Sequence, residues 1–410
     1  MKENMKKKKQ KWLSRRHNVV TAVAKFVLYP YIKIKYGISI EKFKDQGKRQ
    51  YLILSNHQTG FDQFFVAYAF SGAIYYVASE DIFSMGFVSD LLRWAVNPIP
   101  IKKQTTDISA VLNCMRVAKE GGTIAIFPEG NRTYSGRPAH INPAIIALAK
   151  KLALPIAFFN IEGGYGVAPR WGDAVRQGKM TARVTRVIES EDYEHLTDCE
   201  FSELIQKELY VDETKSPGEF HHKRPAEYLE RAIYYCPKCG LSTFESHGDV
   251  LECKKCGIKV RYLADKTLEG INRELPYRYV ADWMEAQNAF VNSLDLGKNY
   301  DTPIYNEYGK LYEVIVYKNK KLMLDRASIS LYGDRIEINQ GWNELVFKFD
   351  DIRAITVCGK NKLNFYTHDR AYQITGDERF NALKYVNIAF RYKNIKKAEE
   401  GERYDEFLGL

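Results

Sequence analysis

Two short apolar runs, Gln50-Tyr51-Leu52-Ile53-Leu54-Ser55 and Thr123-Ile124-Ala125-Ile126, each break off into a polar cluster. Apolar runs of this length without helical period read as buried strands, so the clusters become strand-end loops. Further strand-like runs at 74–78, 97–101 and 155–161 alternate with segments long enough for crossover helices, which predicts an α/β layer fold. Open α/β sheets hold ligands beyond the carboxyl ends of their strands, so both clusters are expected at one sheet edge. One crossover helix is well marked, with Asp107 as cap, Ile108, Val111, Leu112, Met115 and Ala118 at helical spacing, and Gly121-Gly122 as terminator. That stripe is expected to face the core, with Cys114 beside it as an inert thiol.

The first cluster, Asn56-His57-Gln58-Thr59-Gly60-Phe61-Asp62, places an imidazole five positions before a carboxylate. A helix beginning after Gly60 would carry Asp62 in its first turn and fold the carboxylate back toward His57. An imidazole whose second nitrogen is held by an acceptor is a general base near neutral pH. The pair has the logic of a catalytic triad without its serine: a substrate hydroxyl takes the serine's place, loses its proton to His57 and attacks an activated acyl carbon directly. The second cluster, Phe127-Pro128-Glu129-Gly130-Asn131-Arg132-Thr133, offers a guanidinium fork for phosphate oxygens, and Gly130 leaves room for close approach. Glu129 either receives a substrate hydroxyl or holds Arg132. Lys102 or Lys103 adds point charge for a dianionic phosphomonoester.

Four blocks in fixed order carry a family resemblance: Asn56 to Asp62, Ile99-Pro100-Ile101-Lys102-Lys103, Phe127 to Thr133, and Leu154-Pro155-Ile156-Ala157. Over about residues 20 to 210 the chain resembles the glycerolipid acyltransferase superfamily, and within it the 1-acylglycerol-3-phosphate (lysophosphatidic acid) acyltransferases. The resemblance implies that His57 acts as base with Asp62 orienting it, while Glu129, Gly130 and Arg132 bind the acceptor's glycerol phosphate. It implies transfer of a fatty acyl group from acyl-CoA or acyl-acyl carrier protein to a lysophospholipid, giving phosphatidic acid in phospholipid biosynthesis. Asn131 stands where the family usually has a small hydroxyl residue, and Thr59 where serine is commoner; both bear on acceptor preference more than on the reaction. Pro155 is read as a strand start only. The segment Pro169-Arg170-Trp171-Gly172-Asp173 is expected to line the acceptor pocket.

Met1 to His17 carries eight Lys or Arg residues against one Glu, a pattern whose natural partner is an anionic membrane surface. The apolar stretch Val19 to Lys33 follows, interrupted by Lys25, Pro30 and Lys33. A spanning helix needs about 20 mostly apolar residues, so this stretch is expected to lie in the interface with Trp12, Tyr29 and Tyr31 near the headgroups. It lacks a signal-cleavage site. The expected localisation is the cytoplasmic face of a membrane, peripheral or monotopic. The net charge of +10 suits anionic partners generally, and nucleic acid is disfavoured beside an acyl-transfer site.

Two Cys-x2-Cys pairs, Cys236/Cys239 and Cys253/Cys256, each followed by glycine, read as a zinc ribbon. Four thiolates leave no open position, so the zinc is expected to be structural, and Lys238, Lys254, Lys255, Lys259 and Arg261 make the ribbon basic. Beyond it the pattern turns to period two: seven short strands between Leu311 and Thr375, then a helix with Asp377 as cap and Phe380, Leu383, Val386 and Phe390 on one face. That element order resembles a pleckstrin-homology-like domain, which could meet lipid headgroups or a protein, or simply pack on the enzyme. The expected layout is a membrane-interface segment (1–40), an α/β acyltransferase domain (41–211), a linker (212–230), a small zinc ribbon (231–265), a helical connector (266–305), a mainly β domain closed by a C-terminal helix (306–395) and a charged tail (396–410). Two function classes compete: an O-acyltransferase, with glycerol 3-phosphate or another lysophospholipid as alternative acceptor, and a non-catalytic membrane adaptor using the ribbon and C-terminal module. The joint presence of His57, Asp62, Glu129 and Arg132 favours the enzyme.

Overall fold

The computed structural model describes residues 11–101, 107–315 and 318–401. The strand runs form one seven-stranded sheet: β1 (Ile38–Ile40), β2 (Leu52–Ser55), β3 (Ile74–Ser79), β4 (Ile99–Ile101), β5 (Thr123–Ile126), β6 (Ile156–Glu162) and β7 (Met180–Ile188), ordered β1-β7-β6-β2-β5-β3-β4. β2 pairs in parallel with β5 and β6, and β3 with β5 and β4, while β7 runs antiparallel to β6. The adjacency of β2 and β5 is decisive for function, because it sets the two polar clusters side by side at the carboxyl edge.

Parallel strands need cover on both faces, and alternation along β2 supplies it. Leu52 and Leu54 pack with helices α4 and α5, defined below, and with helix Asp198–Leu209, whereas Tyr51 and Ile53 pack toward α1 and α2 on the other face. The helices are α1 (Arg15–Tyr36), α2 (Asp62–Ala69), α3 (Phe87–Ala95), α4 (Ile108–Lys119) and α5 (Ala144–Leu152). α4 starts as expected, the Asp107 side chain accepting from the Ala110 amide at 3.1 Å. Its buried face, however, is Ala110, Cys114 and Val117, with Ile108 and Leu112 exposed. The smaller side chains let the helix lie close on the sheet; of the expected stripe Met115 and Ala118 pack against the core at its margin, while Ile108 and Leu112 face out.

α1 runs unbroken through Pro30. Lys25 turns inward to the carbonyls of Phe70 and Gly72, leaving Val19, Val23, Phe26, Val27 and Ile34 exposed along one side. Two of the three expected interfacial aromatics are occupied elsewhere. Trp12 donates to the Asn97 carbonyl and packs on the core, and Tyr29 stacks on Tyr68 with centroids 3.7 Å apart. Only Tyr31 stays exposed. Beside α1, α3 exposes Phe87, Val88, Leu91 and Trp94, and Arg16 joins the two helices by donating to the Trp94 carbonyl at 2.8 Å. Among the described residues no helix is long and apolar enough to cross a membrane.

Residues 212–228 carry no helix or named strand and are packed down. Phe220 fills the space above Gly166 and Gly178, and Glu213, Ala226 and Leu229 are buried. The cysteine region forms a hairpin and a four-stranded antiparallel sheet, followed by helix Val280–Asn292. Seven antiparallel strands from Tyr305–Val314 to Ala371–Thr375 and helix Leu383–Glu399 complete the chain. This helix begins later than expected: Asp377 caps a preceding turn at Arg379, and Asn381 accepts from the Lys384 amide. One continuous apolar core joins the C-terminal sheet, the cysteine region and two residues of the α/β part, Tyr134 and Trp171. The C-terminal part thus packs on the α/β part through a shared apolar core.

Candidate active site

Asp62 opens α2 and is fully buried. Four donors converge on its carboxylate: the Gln58 amide at 2.6 Å, the Thr59 amide at 2.9 Å, the Thr59 hydroxyl at 2.6 Å and His57 Nδ1 at 2.8 Å. With Nδ1–H donating to that acceptor, Nε2 keeps its lone pair for a substrate proton. The ring stacks on Phe127 at 4.5 Å and is one-fifth exposed, which fixes its plane and leaves an edge open. The flanking residues hold the turn. Asn56 exchanges two 2.8 Å bonds with the Ile161 backbone, and Gln58 accepts from the Tyr165 amide where Gly164 lets the chains touch, since a Cβ there would sit 2.5 Å from Gln58 Cβ.

The second loop is tied to the first. Both oxygens of Glu129 accept backbone amides, from His57 at 2.8 Å and Ala139 at 2.9 Å, and the Thr133 amide donates to the His57 carbonyl at 3.1 Å. Glu129 is thus a clamp between loops, a use that sequence reasoning did not offer. Burial pushes its carboxyl up to about 7, against the pull of those two amides. Gly130 has φ +67° with open space where a Cβ would be, so the loop turns sharply there and leaves room. Arg132 lies with Nη1 close over Gly60, and desolvation lowers its pKa. Among the described residues no carboxylate forms an ion pair with it. A half-buried guanidinium outside any ion pair, although within the field of the Asp62 carboxylate, can take up an anion.

Lys102 and Lys103 lie outside the described residues; β4, which precedes them, runs parallel to β3 and β5 and ends at the same edge. Pro155 precedes β6 and supplies a carbonyl to the Leu52 amide. In the segment 169–173, Trp171, Gly172 and Asp173 edge a small cleft with Arg176, Arg224 and Tyr228, apart from the His57 loop. Trp171 is fully buried, Arg170 is 1% exposed with its guanidinium bonded to backbone carbonyls, and Asp173 pairs with Arg231 and Lys360.

Cys236, Cys239, Cys253 and Cys256 bring their sulfurs within 4.8 Å of one another, and none is in a disulfide. Gly240 and Gly257 both take positive φ, which each turn requires. The surface of the cysteine region is less basic than its lysines suggest: Lys254 pairs with Glu245, Lys259 with Glu252, and Arg261 with Asp249 and Glu269.

The family model described as Acyltransferase matches residues 37–161, the stretch that holds both loops. This part of the chain is an acyltransferase-family domain. The acyltransferase region is 21% identical over 166 residues to the chloroplastic 1-acyl-sn-glycerol-3-phosphate acyltransferase of Arabidopsis thaliana, covering 39% of this chain and 44% of that protein. It is 23% identical over 128 residues to the 1-acyl-sn-glycerol-3-phosphate acyltransferase of Bacillus subtilis, covering 31% and 60%. The chain thus spans about half the length of these curated relatives. A crystal structure of the 1-acyl-sn-glycerophosphate acyltransferase of Thermotoga maritima aligns with TM-score 0.40 and 18% identity over 48% of this chain and 82% of that one.

Proposed function

We propose that this protein transfers a fatty acyl group from an acyl thioester to the free hydroxyl of a 1-acylglycerol 3-phosphate, giving phosphatidic acid. The observation that carries the reading is the pairing of a base with a nearby cation that, among the described residues, is in no ion pair: His57, oriented by buried Asp62, and Arg132 across Gly60. Arg132, with Lys102 or Lys103, holds the acceptor's phosphate, and Gly130 allows the glycerol close. The acceptor hydroxyl gives its proton to His57 Nε2 as its oxygen bonds to the thioester carbonyl carbon. The C–S bond then breaks, and the departing thiolate takes that proton from the imidazolium. The relatives' names support the same acceptor. Acyl transfer measured from acyl-CoA and from acyl-acyl carrier protein, across 1-acylglycerol 3-phosphate, glycerol 3-phosphate and lysophosphatidylcholine, checks it. Turnover fastest with the first acceptor is expected; equal rates with the uncharged-net choline lipid would defeat the phosphomonoester reading.

The four cysteines bind one structural zinc in this reading. In a Zn–S4 tetrahedron with bonds of about 2.3 Å the sulfurs stand about 3.8 Å apart, and Cys236 and Cys256 are 3.7 Å apart. Metal analysis of protein purified without chelators should return about one zinc per chain; a value near zero removes the assignment. The protein works at the cytoplasmic face of a membrane, peripheral or monotopic, through the basic amino-terminal segment and the apolar sides of α1 and α3. Flotation with anionic vesicles should capture it at low salt, and Phe26→Ser with Ile34→Ser should release it. The order of strands and closing helix supports a pleckstrin-homology-like reading of the C-terminal part.

A further inference from the structure

The loop that carries Arg132 is held from outside its own domain. Arg170, buried to 1% exposure, donates from Nη1 to the Arg132 carbonyl at 2.9 Å and from Nη2 to Asn131 Oδ1 at 3.3 Å. The same guanidinium donates on its other side to the carbonyls of Gly359 at 2.9 Å and Val357 at 3.0 Å, and it lies 4.2 Å above the Tyr134 ring. Two direct bonds flank this bridge. Asn131 Nδ2 donates to the Thr356 hydroxyl at 3.2 Å, and the Tyr134 hydroxyl donates to the Lys360 carbonyl at 2.6 Å. Residues 356–360 are the end of one strand and the turn of the hairpin formed by Ala354–Cys358 and Lys362–Tyr366. Ile355 and Val357 anchor that hairpin in the core beneath the C-terminal helix.

Residues on both sides of Arg132 are therefore fixed by the C-terminal sheet, while Arg132 itself reaches toward Gly60. Planar guanidinium recognition of phosphate depends on placement, so a loop displaced by an ångström loses much of it. We propose that the Ala354–Tyr366 hairpin is a working part of the headgroup site: Thr356 and Arg170 are positioning residues that set where Arg132 stands, and through it the affinity for the acceptor's phosphate. The C-terminal domain is on this view a wall of the enzyme. The inference rests on Arg132 binding the acceptor phosphate.

Steady-state kinetics of full-length Thr356→Val, Thr356→Ser, Arg170→Lys and Arg132→Met, with acceptor and donor varied separately, provide the check. Thr356→Val should raise the acceptor KM about 3- to 10-fold with kcat and donor KM unchanged, and Thr356→Ser should restore it. Arg170→Lys should act in the same direction and more strongly; if it fails to fold, the threonine pair carries the result. Thr356→Val with the native acceptor KM, or with donor KM raised equally, overturns the hairpin's role while Arg132→Met still raises acceptor KM. If Arg132→Met leaves that constant unmoved, the headgroup reading falls and this inference with it.

Discussion

The two loops at the carboxyl edge are built on opposite plans. In the His57–Asp62 loop the working pair is local, with every bond to the Asp62 carboxylate coming from within five residues, while Asn56 and Gln58 tie the turn to Ile161 and Tyr165. The Glu129–Thr133 loop owes its shape to residues as distant as Thr356 and Gly359. A base and its orienter demand a fixed mutual geometry that a short turn provides. A headgroup site must instead be placed against the rest of the molecule, and that takes long-range contacts. One loop is a local device and the other a meeting point.

The sharpest way to break this contrast is at the base. His57→Ala should lower kcat by about 10²- to 10⁴-fold while leaving the unfolding temperature close to native; a comparable rate in both proteins defeats the proposed proton relay. Asp62→Asn should cost nearly as much activity and, unlike His57→Ala, about 2–3 kcal/mol of stability, because an amide cannot accept from all four donors. Denaturant unfolding of the two variants side by side checks the local character of this pair. Arg132→Lys should spare kcat and raise the acceptor KM by about 10-fold or more, since a point charge replaces a fork.

Glu129 sharpens the comparison because it joins the loops. Glu129→Gln must turn an amide against one of two backbone N–H groups, at a cost of about 1–3 kcal/mol, so kcat and acceptor KM should both worsen. A change confined to one of them would show the loops to be independent. The smallest effect expected is at Glu213, whose amide donates to the Gly136 carbonyl and whose carboxylate accepts from Gly163. Burial raises that carboxyl to about 7. A folded-state pKa above the unfolded one means that folding favours the protonated acid, so stability contributed by this group grows as pH falls from above 7 toward the ordinary carboxylate range. Glu213→Gln should flatten the rise in unfolding free energy between pH 8 and 5 by about 1–2 kcal/mol; parallel curves for both proteins contradict this.

The same contrast explains what the sequence disclosed. The His57–Asp62 relation needs only a strand, a turn and a helix start, and each has a local signature. The strand runs at 50–55, 74–78, 97–101 and 123–127 are readable because β2 and its neighbours are apolar on both faces, although β4 itself is only Ile99–Ile101. The bridge from Arg170 to Val357 and Gly359 left no trace, because a buried arginine bonded to carbonyls looks in sequence like any arginine in a polar segment. α4 misled for a related reason: spacing identifies an apolar stripe, but which side meets the sheet depends on how closely the helix sits. Glu129 had two plausible side-chain partners in sequence, and its backbone partners emerge only when β2 and β5 lie together.

α1 ends at Tyr36, whose ring lies 5.3 Å from Phe61 in the first loop, while its apolar side runs from Val19 to Ile34. At 1.5 Å per residue that side is about 22 Å long; seated on a leaflet as proposed, it would fix heading as well as distance. An acceptor drifting laterally in that leaflet would then reach the catalytic edge headgroup first, with its tail still among its neighbours. Turnover in such an arrangement follows the mole fraction of lysolipid in the surface, so diluting the acceptor with inert lipid should slow the reaction even when its bulk amount is held constant.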